Sequence, residues 1–283
     1  MQFDPILPEA RVKAMKEDGF WPDQIVTDYL DRQIAEAPDK IAVIDSNSLT
    51  NTTNRISYGA LGKLVDRIAV GLAELGVEKN DVVSCQLPNW WQFTALHLAC
   101  ARIGAVTNPM MPIFRERELS FMLGLAESKV LVIPRAFRGF DYPAMVRNIR
   151  SGLPDLKHVL VIDGTGEDSF EKTLLDTPWE EKRDKTDLFA RRQPSPDDVI
   201  QLMYTSGTTG EPKGVMHTSN TIMSNLLLCA QCLELKRSDV ILMASPMAHQ
   251  TGFMYGLAMP IVLGTTAVLQ DVWEPKRAAK LIG

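Results

Sequence analysis

Hydrophobic residues along the chain alternate between short continuous runs and helical stripes. From Leu61 to Leu75 they follow the i, i+3, i+4, i+7 spacing of an amphipathic helix, which Gly76 closes. Short apolar runs predict buried strands, and longer periodic stretches predict further helices. The predicted strands lie at 82–87, 105–111, 130–133, 158–162 and 199–204, and the predicted helices at 61–75, 90–103, 116–127, 142–149 and 218–234.

Strands separated by helices of this length need crossover connections, which predicts a mainly parallel sheet and an α/β fold. The segment 164–198 differs from its surroundings because it is strongly charged, contains three prolines and has weak periodicity. We interpret it as a solvated surface connection that precedes the strand at 199–204 and contains one short helix at 170–175.

The most informative segment is 204–215, which reads YTSGTTGEPKGV. It lies between an apolar run and a helix-like stretch. Its glycines let the backbone approach a ligand, and its hydroxyl and N–H groups can bind phosphate oxygens. Lys213 adds a mobile positive charge. These features together predict a loop that binds a polyphosphate.

Two other interpretations of this segment are less favourable. A Walker A loop, G-x-x-x-x-G-K-S/T, would need a glycine where Pro212 stands and a metal-binding hydroxyl where Gly214 stands. A surface loop that is rich in small polar residues by chance seldom combines this density with a Pro-Lys-Gly ending. The sequence therefore disfavours an ordinary P-loop nucleotide hydrolase.

Composition restricts the class of protein. The chain has 283 residues, 45% of them hydrophobic and 23% charged, with a net charge of −5. This charge argues against nucleic-acid binding. The first residues lack the pattern of a signal peptide, and the uncharged stretch 240–270 is interrupted by Pro246 and Pro260. We therefore expect a cytoplasmic protein without a membrane span.

The cysteines do not form an obvious metal or redox site. Cys229 and Cys232 have the C-x-x-C spacing, but no second pair or nearby histidine completes a set of zinc ligands. They also lie inside a helical pattern rather than at the start of a helix. We interpret them as structural residues.

Two motifs resemble those of a known family. The segment 204–215 closely resembles the signature T-S-G-S/T-T-G-x-P-K-G-V of adenylate-forming enzymes, which include acyl- and aryl-CoA synthetases, firefly luciferase and peptide-synthetase adenylation domains. The segment 245–253, SPMAHQTGF, resembles the P-x-x-H-x-x-G segment of acyl- and aryl-CoA synthetases. Peptide-synthetase domains usually carry an F-D-x-S type sequence there, so the resemblance favours a CoA ligase.

The resemblance implies a fold with two adjoining, mainly parallel sheets flanked by helices, as in the large N-terminal domain of these enzymes. The first α/β layer would span about 81–229, and a second, truncated layer would combine about 25–76 with 237–283. The implied reaction joins a fatty, alicyclic or aromatic acid to AMP and then to CoA. ATP, Mg²⁺ and coenzyme A would take part, and the truncated layer would leave apolar surface for a homodimer.

The resemblance also assigns roles to individual residues. Lys213 would help neutralise the departing pyrophosphate, and His249 would shape the entrance to the carboxylate site. The phosphate ligands would be Thr205, Ser206, Gly207, Thr208, Thr209, Gly210 and Lys213. The substrate pocket would contain Met247, His249, Gln250, Thr251, Gly252 and Phe253, and no residue is assigned as a metal ligand.

The remaining histidines and the tryptophans have structural interpretations. His217 follows the loop and could meet a phosphate, but a role at the start of the next helix is the safer interpretation. His97 and His158 are interpreted as structural. Trp90 and Trp91 follow a Leu-Pro-Asn turn that is common in acyl-CoA synthetases, and we interpret them as packing or surface anchors.

The family's later segments are absent from these 283 residues. They are a Tyr-Gly-x-Thr-Glu segment, a Thr-Gly-Asp segment and a C-terminal domain with the adenylation lysine. We therefore expect that this chain alone is incomplete for catalysis. Two alternatives remain open from the sequence: adenylation with transfer to a carrier-protein thiol, and a truncated, non-catalytic module that binds nucleotide phosphates.

Overall fold

A computed structural model describes residues 3–205 and 211–282. The strands are β1 (Ile41–Asn47), β2 (Thr52–Ser57), β3 (Val82–Cys85), β4 (Val106–Pro109), β5 (Val130–Pro134), β6 (Ala136–Phe137), β7 (Phe140–Asp141), β8 (His158–Ile162), β9 (Val199–Thr205), β10 (Lys213–Thr218), β11 (Val240–Met243) and β12 (Thr266–Gln270).

The helices lie between these strands and at both ends of the chain. They are α1 (Glu9–Glu17), α2 (Val26–Glu36), α3 (Tyr58–Glu74), α4 (Trp91–Arg102), α5 (Glu116–Leu125), α6 (Tyr142–Ile149), α7 (Trp179–Lys182), α8 (Lys185–Arg192), α9 (Ser219–Cys232), α10 (Gln250–Gly252), α11 (Met259–Leu263) and α12 (Pro275–Ile282). A 3₁₀ turn follows α6 at Arg150–Gly152, and π-helical turns occupy Glu171–Leu175 and Phe253–Ala258.

Two sheets form the framework. The six-stranded sheet has the order β10-β9-β4-β3-β5-β8, and only the β9–β10 pair is antiparallel. The four-stranded sheet has the order β11-β12-β1-β2, in which β2 alone runs antiparallel to its neighbour. Strands β6 and β7 form a separate two-stranded ribbon. The predicted α/β fold with two mainly parallel sheets is confirmed.

Helix α3 shows why the predicted stripe folds as it does. The Ser57 hydroxyl caps its first turn by accepting the N–H of Ala60 at 3.2 Å. Leu61 and Ile68 are fully buried on its apolar face, and Gly76 ends the stripe with φ of +80°. At such buried positions a leucine-to-alanine change typically costs about 2–5 kcal/mol.

Helix α4 lies in the centre of the core. It contacts β4 of the six-stranded sheet and β1 of the four-stranded sheet, and residues 93–101 are buried around its whole circumference. His97 is among them. Its Nδ1 lies 3.0 Å from the Thr107 hydroxyl oxygen, and its ring packs edge-on against the Phe253 ring, with 4.6 Å between the two ring centroids. Burial lowers the pKa of His97 to about 3, so the ring is neutral at ordinary pH.

The charged segment 164–198 is more ordered than we predicted. The short helix predicted at 170–175 is present as a π-helical turn, but α7 and α8 follow it. Glu180 on α7 pairs with Arg67 on α3 at 2.7 Å, and Lys185 on α8 pairs with Asp66 at 2.8 Å. Most of the segment is exposed or half-buried, as expected of a surface connection, but it contains two helices that the sequence did not predict. Its charges find partners on α3, which the segment's own weak periodicity does not reveal.

The uncharged stretch 240–270 forms β11, α10, the second π-helical turn, α11 and β12, as buried strand and helix. In the parts of the chain that the structure describes, no helix has both the length and the apolar character needed to span a membrane.

Candidate functional site

The predicted phosphate loop is carried by an antiparallel hairpin. Strand β9 leads into it, and β10 leads out. Lys213 stands opposite Thr205, Val215 opposite Met203, and His217 opposite Gln201. Since directly opposite residues share a face of a sheet, these side chains form one surface of the hairpin. The predicted phosphate ligands Ser206, Gly207, Thr208, Thr209 and Gly210 lie outside the described residues.

The base of the hairpin is fixed by a polar network. Asn220, which follows β10, is buried and donates hydrogen bonds to Asp197 Oδ1 at 2.7 Å and Asp23 Oδ1 at 3.0 Å. Lys16 pairs with both carboxylates, at 3.0 Å and 2.8 Å, and lowers the pKa of Asp23. Asp197 precedes β9, so the network ties the two ends of the hairpin to each other and to the N-terminal region.

The segment 245–253 forms a tight turn between β11 and the π-helical turn. The His249 N–H donates to the Pro246 carbonyl at 2.9 Å, and His249 Nδ1 accepts the N–H of Thr251 at 3.3 Å. A Cβ at position 252 would overlap the Pro246 carbonyl oxygen and lie 2.5 Å from that of Ser245. Gly252 is therefore required for the turn that holds His249 exposed at the start of α10.

A cavity of about 220 Å³ lies between this turn and the hairpin. Its lining combines apolar and polar side chains from the two predicted segments: Met203, Tyr204, Thr205, Val215, His217, His249 and Gln250. The side-chain amide atoms of Gln250 are buried and have no hydrogen-bond partner within residues 3–205 and 211–282. Burial also lowers the pKa of His217, so this ring is neutral at neutral pH. The cavity therefore offers polar groups, among them the neutral His217 ring and the Gln250 amide, beside apolar walls.

The structure distributes the predicted site residues between the cavity and the core. Thr205, His249 and Gln250 line the cavity. Lys213 is exposed at the open end of the same hairpin, and Thr251 is exposed beside His249. The other members of the predicted pocket, Met247, Gly252 and Phe253, are buried.

Sequence reasoning missed part of the cavity wall. We assigned His217 to the start of a helix, but Thr218 caps α9 with its hydroxyl, and His217 lies in β10 facing the cavity. This assignment was therefore wrong. Residues 213–218 read KGVMHT and lack the apolar–polar alternation that would predict a strand.

The described residues contain no group of three or more His, Cys, Asp or Glu that could hold a metal ion. Cys229 is half-buried and Cys232 is exposed, and both are free thiols.

Comparison with known proteins identifies the family of the chain. Residues 30–283 match the family model described as AMP-binding enzyme. The chain is 32% identical over 275 residues to the medium-chain fatty-acid–CoA ligase of Escherichia coli K12, covering 97% of this chain and 47% of that protein. It is 31% identical over 261 residues to the 2,3-dihydroxybenzoate–AMP ligase of Bacillus subtilis 168, covering 91% of this chain and 44% of that protein.

A solved structure extends the likeness to the fold. The apo structure of MbtA from Mycobacterium smegmatis superimposes with a TM-score of 0.84 at 30% sequence identity, covering 98% of this chain and 49% of that one. The present chain thus spans about half the length of these relatives. Because the family model covers most of the chain, the chain belongs to the AMP-binding enzyme family.

Proposed function

We propose that the protein activates a carboxylic acid by adenylation with ATP and passes the acyl group to coenzyme A. The observation that carries this proposal is the shared cavity, where the hairpin of the phosphate loop faces His249 and Gln250. A site for this reaction must hold a polyphosphate and a carboxylate side by side. The two walls of the cavity supply residues suited to each.

In the proposed first step, a carboxylate oxygen of the acid attacks the α-phosphorus of ATP, and the bond to the pyrophosphate oxygen breaks. The protein contributes positioning and charge stabilisation. Thr205 and Lys213 flank the loop and would hold the β- and γ-phosphates and the leaving pyrophosphate. On the sequence alone, Ser206, Gly207, Thr208, Thr209 and Gly210 would complete this set.

The acid would occupy the cavity beside His249. Met203 and Val215 supply apolar wall, and the neutral His217 ring adds no charge that would compete for the carboxylate. This mixture suits a fatty, alicyclic or aromatic acid whose carboxylate points toward the hairpin. His249 would shape the entrance. Because Met247 and Phe253 are buried, we propose that they support this wall from behind.

In the proposed second step, the CoA thiol sulfur attacks the acyl carbon, AMP leaves and the thiol proton is released to solvent. The similarity to the fatty-acid–CoA ligase supports CoA as the acceptor. Mg²⁺ ordinarily accompanies ATP. The described residues contain no cluster of candidate ligands for it, and we route no step through a metal.

Product analysis of the natural gene product that contains these residues tests the proposal. It is incubated with ATP, Mg²⁺ and one acid at a time, either octanoate, cyclohexanecarboxylate or salicylate, with and without CoA. We expect acyl adenylate and pyrophosphate without CoA, and AMP and acyl-CoA with it. Release of ADP, or nucleotide binding without turnover for every acid, would contradict the proposal. Transfer to a carrier protein but not to CoA would replace the proposed acceptor.

A further inference from the structure

The loop at residues 88–91 joins the two sheets next to the segment 245–247. It leads from β3 of the six-stranded sheet into α4, and Asn89 at its centre is 3% exposed. Asn89 Oδ1 accepts the backbone N–H of Met247 at 2.8 Å. Asn89 Nδ2 donates to the carbonyl of Ser245 at 2.9 Å and to that of Gln270 at 3.3 Å. One buried amide therefore satisfies three backbone groups of the region around the four-stranded sheet.

The neighbouring residues also join the sheets, but they contact other segments. The indole N–H of Trp90 donates to Asp271 Oδ2 at 3.0 Å, and the backbone N–H of Trp91 donates to Asp45 Oδ2 at 3.0 Å. Asn89 alone in this loop has hydrogen bonds to the Ser245–Met247 backbone within the described residues. Its role can therefore be separated from that of the two tryptophans.

Asn89 influences the cavity wall indirectly, through its hydrogen bonds to the backbone of Ser245 and Met247. Ser245 and Met247 flank Pro246, whose carbonyl accepts the His249 N–H and contacts the space that a side chain at Gly252 would fill. Fixing Ser245 and Met247 therefore fixes the origin of α10. His249 and Gln250, which line the cavity, follow Met247 closely in the sequence, so their positions depend on this fixed backbone.

From these contacts we infer that Asn89 is a positioning residue for the acid side of the site. It acts through the backbone of residues 245–247 and sets where His249 and Gln250 stand relative to the hairpin. The hairpin itself is held by the separate Asn220 network. We call His249 and Gln250 the acid wall of the cavity, and the hairpin residues that line it the phosphate wall. Losing Asn89 should therefore displace the acid wall and leave the phosphate wall in place. This inference rests on the proposed function.

The first test compares Asn89→Ala with Trp90→Phe in the natural gene product. Trp90→Phe removes one bond between the same two sheets but none to residues 245–247. For acid-dependent pyrophosphate release with octanoate or salicylate, Asn89→Ala is expected to raise the acid KM about tenfold, as expected for a lost buried hydrogen bond, and to leave the ATP KM unchanged. Trp90→Phe should change neither KM. Equal changes in both KM values for Asn89→Ala would overturn the inference.

A second readout does not depend on activity. Hydrogen–deuterium exchange of Asn89→Ala should increase at residues 245–252 and stay at the wild-type level at residues 213–218, whereas Trp90→Phe should leave both regions unchanged. Unchanged exchange at 245–252, or an equal rise in both regions, would overturn the inference even if no acid is adenylated. Asn89→Asp keeps the side-chain size and the acceptor for Met247 but loses both donors when ionised. It serves if the alanine variant does not fold, with the same selective changes expected.

Discussion

Lys213 lies directly opposite Thr205 where β9 and β10 meet the phosphate loop. Directly opposite residues of an antiparallel pair project on the same side of the sheet, so the ammonium and hydroxyl groups leave the hairpin on one face. The proposed phosphate site is therefore held by paired backbone on both sides. This arrangement gives the lysine a defined origin although its side chain is exposed.

Replacing Lys213 with alanine should slow adenylation without destabilising the fold. The charge that stabilises the leaving pyrophosphate is lost, and comparable transition-state contacts are worth about 100-fold in rate. Because Lys213 is exposed, the melting temperature should remain near the wild-type value. Lys63→Ala, on the exposed side of α3, is the control and should not affect the rate. Unchanged pyrophosphate release in Lys213→Ala would remove this residue from the mechanism.

Replacing Gly252 with alanine should disrupt the acid wall. The new methyl group would overlap the Pro246 carbonyl, which is backbone and cannot rotate away. We expect a loss of about 1–3 kcal/mol in the free energy of unfolding and a raised acid KM, because the turn that begins at His249 must shift. Both are measurable by denaturant titration and steady-state kinetics.

Gly152→Ala is the matched control for Gly252→Ala. Nothing lies within 4 Å of a Cβ built at Gly152, which sits in an exposed 3₁₀ turn. This variant should keep wild-type stability and kinetics. If the two variants behaved alike, the proposed packing of Gly252 against the 245–246 backbone would be wrong.

Gln250 is expected to influence which acid is selected. Its buried amide has no partner in the described parts of the chain and faces the cavity, so it can bond to a polar substituent of a bound acid. Gln250→Leu should lower the ratio of kcat/KM for salicylate to that for octanoate by about tenfold. Gln231→Leu, on the exposed side of α9, should leave the ratio unchanged. A ratio that is also unchanged in Gln250→Leu would exclude this role.

His97 should make the fold sensitive to acid. Its folded-state pKa is about 3, whereas an unfolded histidine titrates near about 6.5. The unfolded state therefore binds more protons between these values, and stability falls as the pH drops through that window. The linked loss approaches ~4 kcal/mol.

Replacing His97 with glutamine isolates this effect. Glutamine keeps a partner for the Thr107 hydroxyl but does not titrate. The variant's stability, measured by denaturant titration at several pH values, should fall less steeply between about pH 6 and pH 4 than that of the wild type. Burial raises the pKa of Asp45, which acts in the opposite direction in both proteins and cancels in the comparison. Parallel stability curves for the two proteins would contradict the assignment.

Sequence patterns predicted the elements whose signal is local. The stripe of α3 and the apolar run of β5 carry their own periodicity, and the structure places both within a few residues of the prediction. The loop motif and His249 could be identified from the sequence because this order of residue types seldom occurs for other reasons. That Thr205 and His249 would lie at one cavity was implied only by the family resemblance.

Long-range contacts account for what the sequence did not reveal. Helices α7 and α8 are stabilised by charges on α3 that lie far away in sequence, and the role of Asn89 depends on backbone groups more than 150 residues later. A buried asparagine in a short turn has no periodicity that would distinguish it. Such residues become visible only when the partners of each buried polar atom are known.

Isotope transfer from a doubly oxygen-18-labelled acid tests the proposed chemistry most directly. The natural gene product is supplied with the labelled acid, ATP, Mg²⁺ and CoA, and the released AMP is analysed by mass spectrometry. Attack of the carboxylate on the α-phosphorus predicts that AMP carries one oxygen-18 atom and that the acyl-CoA carbonyl retains the other. Unlabelled AMP, or label in inorganic phosphate released with ADP, would show that the acid is not activated by adenylation.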